Sequence, residues 1–123
     1  MDEHREMKVT PDRYLTYRYA GASGDFNPIH LDDEFATSVG LPGRILHGLW
    51  TMAQVARAQT EPGGDALALE SLEVQFRGVG LPEAEITVTS HAGEDGTITC
   101  HAEQNSKKII KGGKARLRPA PRS

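Results

Sequence analysis

A single cysteine, Cys100, leaves the chain no partner for an intrachain disulfide, which suits a reducing compartment. A basic surplus is missing too: 14 Lys and Arg stand against 17 Asp and Glu, a formal net charge of −3. Binding governed by phosphate backbones needs a local excess of cations, so nucleic acid is excluded as the main partner. No stretch approaches the roughly 18 consecutive apolar residues of a membrane span. The charged opening MDEHREMK is not followed by an apolar core of signal-peptide length. A soluble, cytoplasmic protein without membrane contact is expected. There is no internal repeat, no low-complexity linker and no G-x-S-x-G elbow for a nucleophilic serine. His30-x-Asp32 and His47 are too sparse for zinc, which takes three or four ligands at suitable spacing, so no metal is expected.

What is there suits one domain over residues 1–123, with 37% hydrophobic and 25% charged residues. Residues 1–8 are polar and expected to fray, with a short strand at 6–9. Thr10 as N-cap, Pro11 at the first helical position and Asp12 in the first turn predict a helix over 11–20. A short helical turn at 32–36 is closed by Gly40 and Pro42. The segment ILHGLWTMAQVARAQ predicts a helix over 45–59, apolar around most of its circumference and therefore buried. After the break at 61–65 the period becomes two. Strands are expected at 67–76, 85–91, 97–104 and 107–118, with turns at 78–82, 93–96 and 105–106. The fold class is α+β: an antiparallel meander of four strands wrapped around one long buried helix. One sheet of this size leaves an edge, so a dimer is expected.

The candidate site is GDFNPIH, residues 24–30. Gly, Asp, Asn and Pro are turn formers, yet this turn also carries a histidine. Pro28 fixes the chain direction between Asp25 and His30. A loop can aim both at one water, and such a pair can move protons near neutral pH. Asn27 offers a donor and an acceptor for a water or a carbonyl. The second feature is Leu46-His47-Gly48-Leu49 at the start of the predicted helix. Free N–H groups of a first turn can donate to an oxygen that gains negative charge, and a missing side chain at Gly48 admits a carbonyl; close packing at Gly48 is the alternative. Cys100 reads as core, Gly112-Gly113 as a bulge, and His91 and His101 as structural. Tyr14, Tyr17 and Tyr19 read as packing for the first helix.

Residues 19–48, YAGASGDFNPIHLDDEFATSVGLPGRILHG, resemble the hydratase-2 motif of MaoC-like, (R)-specific enoyl hydratases and dehydratases. Gly24, Asp25, Asn27, Pro28, Ile29, His30, Asp32, Ala36, Gly40, Ile45, His47 and Gly48 match. The stretch is also similar to the catalytic subunit of bacterial (3R)-hydroxyacyl-ACP dehydratases. The resemblance implies a hot-dog fold and reversible hydration of trans-2-enoyl thioesters carried on CoA or acyl-carrier protein. It implies that Asp25 and His30 form the catalytic pair, helped by Asn27. His47-Gly48 would supply the oxyanion donor. It implies no cofactor, and a homodimer or a heterodimer with another hot-dog chain. Which of Asp25 and His30 is acid and which is base stays open. A hot-dog acyl thioesterase and a non-catalytic acyl-binding subunit remain as alternatives. Trp50 departs from the family pattern, as a core residue or as a wall of the acyl tunnel, and the first strand is expected to be abbreviated. Arg44, Arg77, Lys107, Lys108 and Lys111 are available for the phosphates of CoA or as solvated charges.

Overall fold

Four charged residues in EHREMKV, Glu3, Arg5, Glu6 and Lys8, hide a strand. In the computed structural model, which describes residues 3–119, β1 (Glu3–Val9) pairs with β3 (Ile86–Ala92) over its full length, from Glu3↔Ala92 to Val9↔Ile86. His4, Glu6 and Lys8 face solvent while Arg5, Met7 and Val9 are half-buried, as the two-residue period of a strand requires. The expected fray and abbreviated first strand are thus corrected for residues 3–9; residues 1 and 2 lie outside the described residues. With β2 (Leu69–Phe76), β4 (Ile98–Gln104) and β5 (Lys107–Leu117), one five-stranded antiparallel sheet forms in the order β1-β3-β4-β5-β2. The four expected strands are present and β1 is a fifth. The meander runs only through β3, β4 and β5, because β2 crosses to the far edge beside β5.

Three helices complete the chain: α1 (Leu15–Ser23), α2 (Asp33–Ser38) and α3 (Gly48–Thr60). α1 starts four residues later than the sequence predicts. Thr10 is not its cap; the Asp12 carboxylate accepts from Tyr14 N–H and builds a turn ahead of the helix, while Pro11 is buried and its carbonyl accepts from Glu83 N–H at 2.6 Å. α2 follows its predicted turn, capped by the Asp32 carboxylate on Phe35 N–H. α3 touches all five strands. Val55 and Ala58 meet Leu46, Ile86, Val88, Cys100, Ala102, Ile109 and Ile110 in the core between helix and sheet.

Two features of α3 differ from expectation. It begins at Gly48, because His47 ahead of it is extended (φ −66°, ψ 131°) and the N–H groups of Ile45 and Leu46 bond outside α3, to Ile29 O (2.9 Å) and Gly80 O (2.8 Å). Nor is it apolar all round: its buried residues are Thr51, Gln54, Val55, Ala58, Gln59 and Thr60, whereas Leu49 is 66% exposed. No helix among the described residues is long and apolar enough to cross a membrane.

A buried amide fixes the loop that α3 leans on. The Gln104 side chain accepts from Leu81 N–H (2.7 Å) and donates to Leu81 O (2.8 Å) and Ala84 O (2.9 Å). That loop carries Gly80, the acceptor for Leu46. On the opposite flank, the register between β2 and β5 slips at Glu73/Gln75, opposite Lys111–Lys114, so the glycine pair is a bulge as expected. Gly112 has φ +62°, and Gly113 has no room for a side chain: a Cβ would lie 2.6 Å from both Cys100 O and Cys100 Sγ. Cys100 is core, and burial pushes its thiol up to about 11. Gly113→Ala is expected to lower stability by about 1–3 kcal/mol through this overpacking. A lower denaturation midpoint with an unchanged slope checks it.

Candidate active site

The loop after α1 is shaped by its own side chains. Gly24 closes α1 in the left-handed region with φ +80°. Asp25 Oδ1 then accepts from Asn27 N–H at 3.2 Å, and Asn27 Oδ1 accepts from Ile29 N–H at 3.2 Å. Two successive side chain-to-backbone bonds and Pro28 wind the chain into a 3-10 turn, Pro28–His30. Asn27 is therefore first a builder of the loop: its carbonyl oxygen is engaged by the backbone.

The turn delivers His30 to the extended segment ahead of α3. His30 is buried, and its Nδ1 lies 2.8 Å from Ile45 O. A carbonyl only accepts, so Nδ1 carries the proton and neutral His30 presents a lone pair at Nε2. That lone pair faces Asp25 Oδ2 at 3.7 Å, too far for a hydrogen bond. Two acceptors lie close enough that one water beside them can donate to both. The Asp25 carboxylate is half-exposed, so the pair opens toward solvent.

His47 is the N-cap residue of α3 and is buried. Its Nε2 donates to the backbone carbonyl of Asp25 at 3.0 Å, and its ring stacks on His30 with centroids 3.9 Å apart. It ties the Asp25 loop to the helix start. Tyr19 completes the stack, 4.8 Å from the His47 ring. The N–H groups of Trp50 and Thr51 bond to His47 O, whereas Gly48 N–H has no partner among the described residues. A Cβ at Gly48 would lie 3.3 Å from the Phe76 ring, so close packing and an open donor coexist at this glycine.

The structure brings Asp25, His30, His47 and Gly48 together, as the sequence suggests. It separates others. Asp32, paired with His30 in the sequence as a sparse ligand set, caps α2 instead. Asp25 takes its place: Asp25, His30 and His47 each offer a ligand atom within 4.8 Å of the others, the number of protein ligands an open zinc site uses. Three of the readings made from local pattern are corrected. Arg44 is not a solvated charge; it forks onto Asp33 (2.7 Å) and onto Arg13 O. Tyr14 and Tyr17 are exposed rather than packed, and Tyr19 belongs to the site. Tyr19 and Phe76 carry no local signal, since sequence separation hides both contacts. The His91 ring meets that of exposed His4 at a tilt of 45°, with centroids 4.6 Å apart. Burial, then Lys108, holds His101 below the usual histidine range.

A curved antiparallel sheet around one central helix, with an Asp–His loop at that helix's N-terminus, is a hot-dog fold. The chain belongs to the MaoC like domain family, whose model matches residues 1–112. It is 38% identical over 84 residues to the enoyl-CoA hydratase ChsH3 of Mycobacterium tuberculosis, covering 67% of this chain and 28% of the relative. It is 33% identical over 105 residues to 3-hydroxyacyl-thioester dehydratase Y of the same organism, covering 83% of this chain and 35% of the relative. A solved MaoC-like dehydratase superposes with a TM-score of 0.89 at 25% identity, over 98% of this chain and 40% of that one. The chain thus spans between 28% and 40% of the length of these relatives.

The Arg44–Asp33 fork gives a pH signature. The Arg44 backbone N–H foremost, and its guanidinium besides, hold the Asp33 carboxyl below the ordinary carboxylate range. A depressed folded pKa contributes stability above the unfolded value, near 4, and that contribution is lost as pH falls through the lower folded value. Arg44→Met is expected to be less stable than wild type at neutral pH, with the gap narrowing as pH falls below about 4. Urea midpoints at stepped pH check this.

Proposed function

We propose that this chain catalyses (R)-specific hydration of trans-2-enoyl thioesters and the reverse dehydration of (3R)-hydroxyacyl thioesters, carried on CoA or acyl-carrier protein. The observation that carries this is the pair of opposed acceptors, His30 Nε2 and Asp25 Oδ2, 3.7 Å apart. A water beside the pair donates one O–H to each, which fixes it and directs its oxygen lone pairs outward. As oxygen bonds to C3 of the enoyl group, the pair takes a proton from the water. The π electrons of the double bond move toward the thioester carbonyl, which becomes an enolate. The pair then returns a proton to C2. One water is added, nothing is oxidised, and no resident cofactor is called for. The acid and base labels are left to the pair rather than to either residue.

Enolate charge needs a donor, and Gly48 supplies one. Its N–H opens α3, the end of the helix where negative charge is favoured. His47 holds the two halves together through its ring stack on His30 and its bond to Asp25 O. Asn27 keeps the loop in the shape that aims Asp25. Relatives support the reading: one is an enoyl-CoA hydratase and another a 3-hydroxyacyl-thioester dehydratase. Crotonyl-CoA hydration, followed as loss of enoyl absorbance, is expected for the wild type. Asp25→Asn and His30→Ala should each lower kcat/KM at least about 10²-fold. Activity that survives both changes sinks the pair; release of free CoA without hydration would instead mark a thioesterase.

The chain works as a homodimer, or pairs with another hot-dog chain. β2 ends the sheet with its outer backbone groups unpaired by any strand, and Phe76, its last residue, is 50% exposed. An edge of this kind is ordinarily covered. Sedimentation equilibrium is expected to give twice the chain mass, and Val74→Pro, which removes a β2 donor, should shift it toward the monomer. A monomer at micromolar wild-type concentration that is nonetheless fully active would refute the homodimer.

A further inference from the structure

The His47 ring is held by three contacts. Its Nε2 donates to Asp25 O at 3.0 Å. It lies on the His30 ring with centroids 3.9 Å apart and an interplanar angle of 22°. Tyr19 meets it with centroids 4.8 Å apart, tilted by 55°. His30, in turn, is anchored in its own plane by one bond, Nδ1–H to Ile45 O. A single hydrogen bond at the edge of an imidazole fixes one nitrogen but lets the ring swing about that bond. A stacked neighbour removes the swing, because the moving edge meets it.

Tyr19 comes from α1. Thr16 and Ala20 are buried and Tyr19 is half-buried, a spacing of i, i+3 and i+4 that puts all three on the inward side of the helix. Tyr14 and Tyr17 are exposed. The Tyr17 hydroxyl donates to Leu31 O at 3.2 Å, whereas the Tyr19 hydroxyl makes no hydrogen bond among the described residues. The ring is therefore what Tyr19 contributes. Asp25 follows Tyr19 by six positions, past the left-handed Gly24. One short segment thus reaches His47 twice, with the Tyr19 ring and with the Asp25 carbonyl. Without that ring, His47 keeps one anchor on the segment. Its bond to Asp25 O and its stack on His30 then loosen together, and those contacts serve the two members of the reacting pair.

We propose that Tyr19 is a positioning residue for the Asp25–His30 pair, acting through His47 and by its ring alone. This rests on the hydratase reading of the pair. In this role Tyr19 touches no reacting atom. It keeps His47 flat against His30, so that His30 Nδ1–H stays on Ile45 O and Nε2 stays 3.7 Å from Asp25 Oδ2. Its contribution falls on the transition state, where both groups must meet one water, and not on the grip of the thioester.

Tyr19→Phe keeps the ring, and Tyr19→Leu and Tyr19→Met remove it. With crotonyl-CoA the two ringless variants are expected to lose about tenfold or more in kcat at unchanged KM, since a reacting group displaced by about 1 Å costs up to about 10²-fold. Tyr19→Phe should stay within about twofold of wild type. Long-range proton–nitrogen NMR of the His30 imidazole reads the position itself. Protonated Nδ1 and bare Nε2 are expected in wild type and Tyr19→Phe, and a mixture of tautomers in the ringless variants. A ring that only fills space would lower their urea midpoints while kcat per folded site and the His30 shifts stay put, and that result overturns the proposal. A loss in Tyr19→Phe equal to that in Tyr19→Leu overturns it as well, because the hydroxyl would then be the acting group. So does a raised KM with kcat kept. Wild type that fails to hydrate crotonyl-CoA overturns the hydratase reading instead. The positioning is then decided by the NMR comparison, where His30 shifts unchanged in both ringless variants refute it.

Discussion

The site depends on one residue's backbone. Ile45 gives its N–H to Ile29 O (2.9 Å) and takes the His30 Nδ1 proton on its carbonyl (2.8 Å). The first bond holds residues 45–47 extended, so α3 cannot wind backward through Ile45 and Leu46 as their apolar pattern invites. Its first turn therefore opens at Gly48. The second bond fixes which nitrogen of His30 is free. A tautomer, a helix boundary and the approach of two segments 15 residues apart thus meet at the N–H and C=O of one residue. The Ile45 side chain adds burial to the same contact.

Polarity inside a core has to be offset. α3 buries Thr51, Gln54, Gln59 and Thr60 against a sheet whose other contributors are Ile86, Val88, Ile109 and Ile110. Gln54 and Gln59 each have an amide oxygen without a partner. For a helix whose only task was to fill the sheet, leucine at both positions would serve better on transfer grounds alone. The apolar Leu49 and Ala53 are exposed instead, and Met52 packs against the core only in part. The inversion is local to the helix that starts at the reaction site. Departures from a consistent pattern concentrate where function competes with stability.

The loop was legible because its determinants are local. Gly24, Asp25, Asn27 and Pro28 build their turn with bonds two residues long, so a seven-residue string contains most of the geometry. The strands β2 to β5 were legible from alternation and turn residues for the same reason. Helix ends were not. The Thr10-Pro11 signal for α1 is overridden because the carbonyl of Pro11 is committed to Glu83 N–H, 72 positions away. Arg44 looked like a free cation until the fold brought Asp33 to it. Tyr19 against His47, and Phe76 against Gly48, join segments whose separation no pattern encodes. β1 was underread because an edge strand needs only one apolar face, and three half-buried residues make a faint signal.

Phe76 links the site to the sheet's edge. It is the last residue of β2, the outermost strand, and its ring is the nearest neighbour of the space above the Gly48 Cα. A strand added to β2 would continue the backbone ladder along the whole of Leu69–Phe76 and would reach Phe76 at its end. The half-exposed ring would then lose its solvent face, and the surroundings of Gly48 N–H would become drier. A donor in a drier site acts more strongly on developing charge, since water no longer screens it. Covering the edge and drying the surroundings of Gly48 N–H are therefore not independent events in this fold: a chain that relieves the unpaired strand also borders the donor proposed for the enolate oxygen.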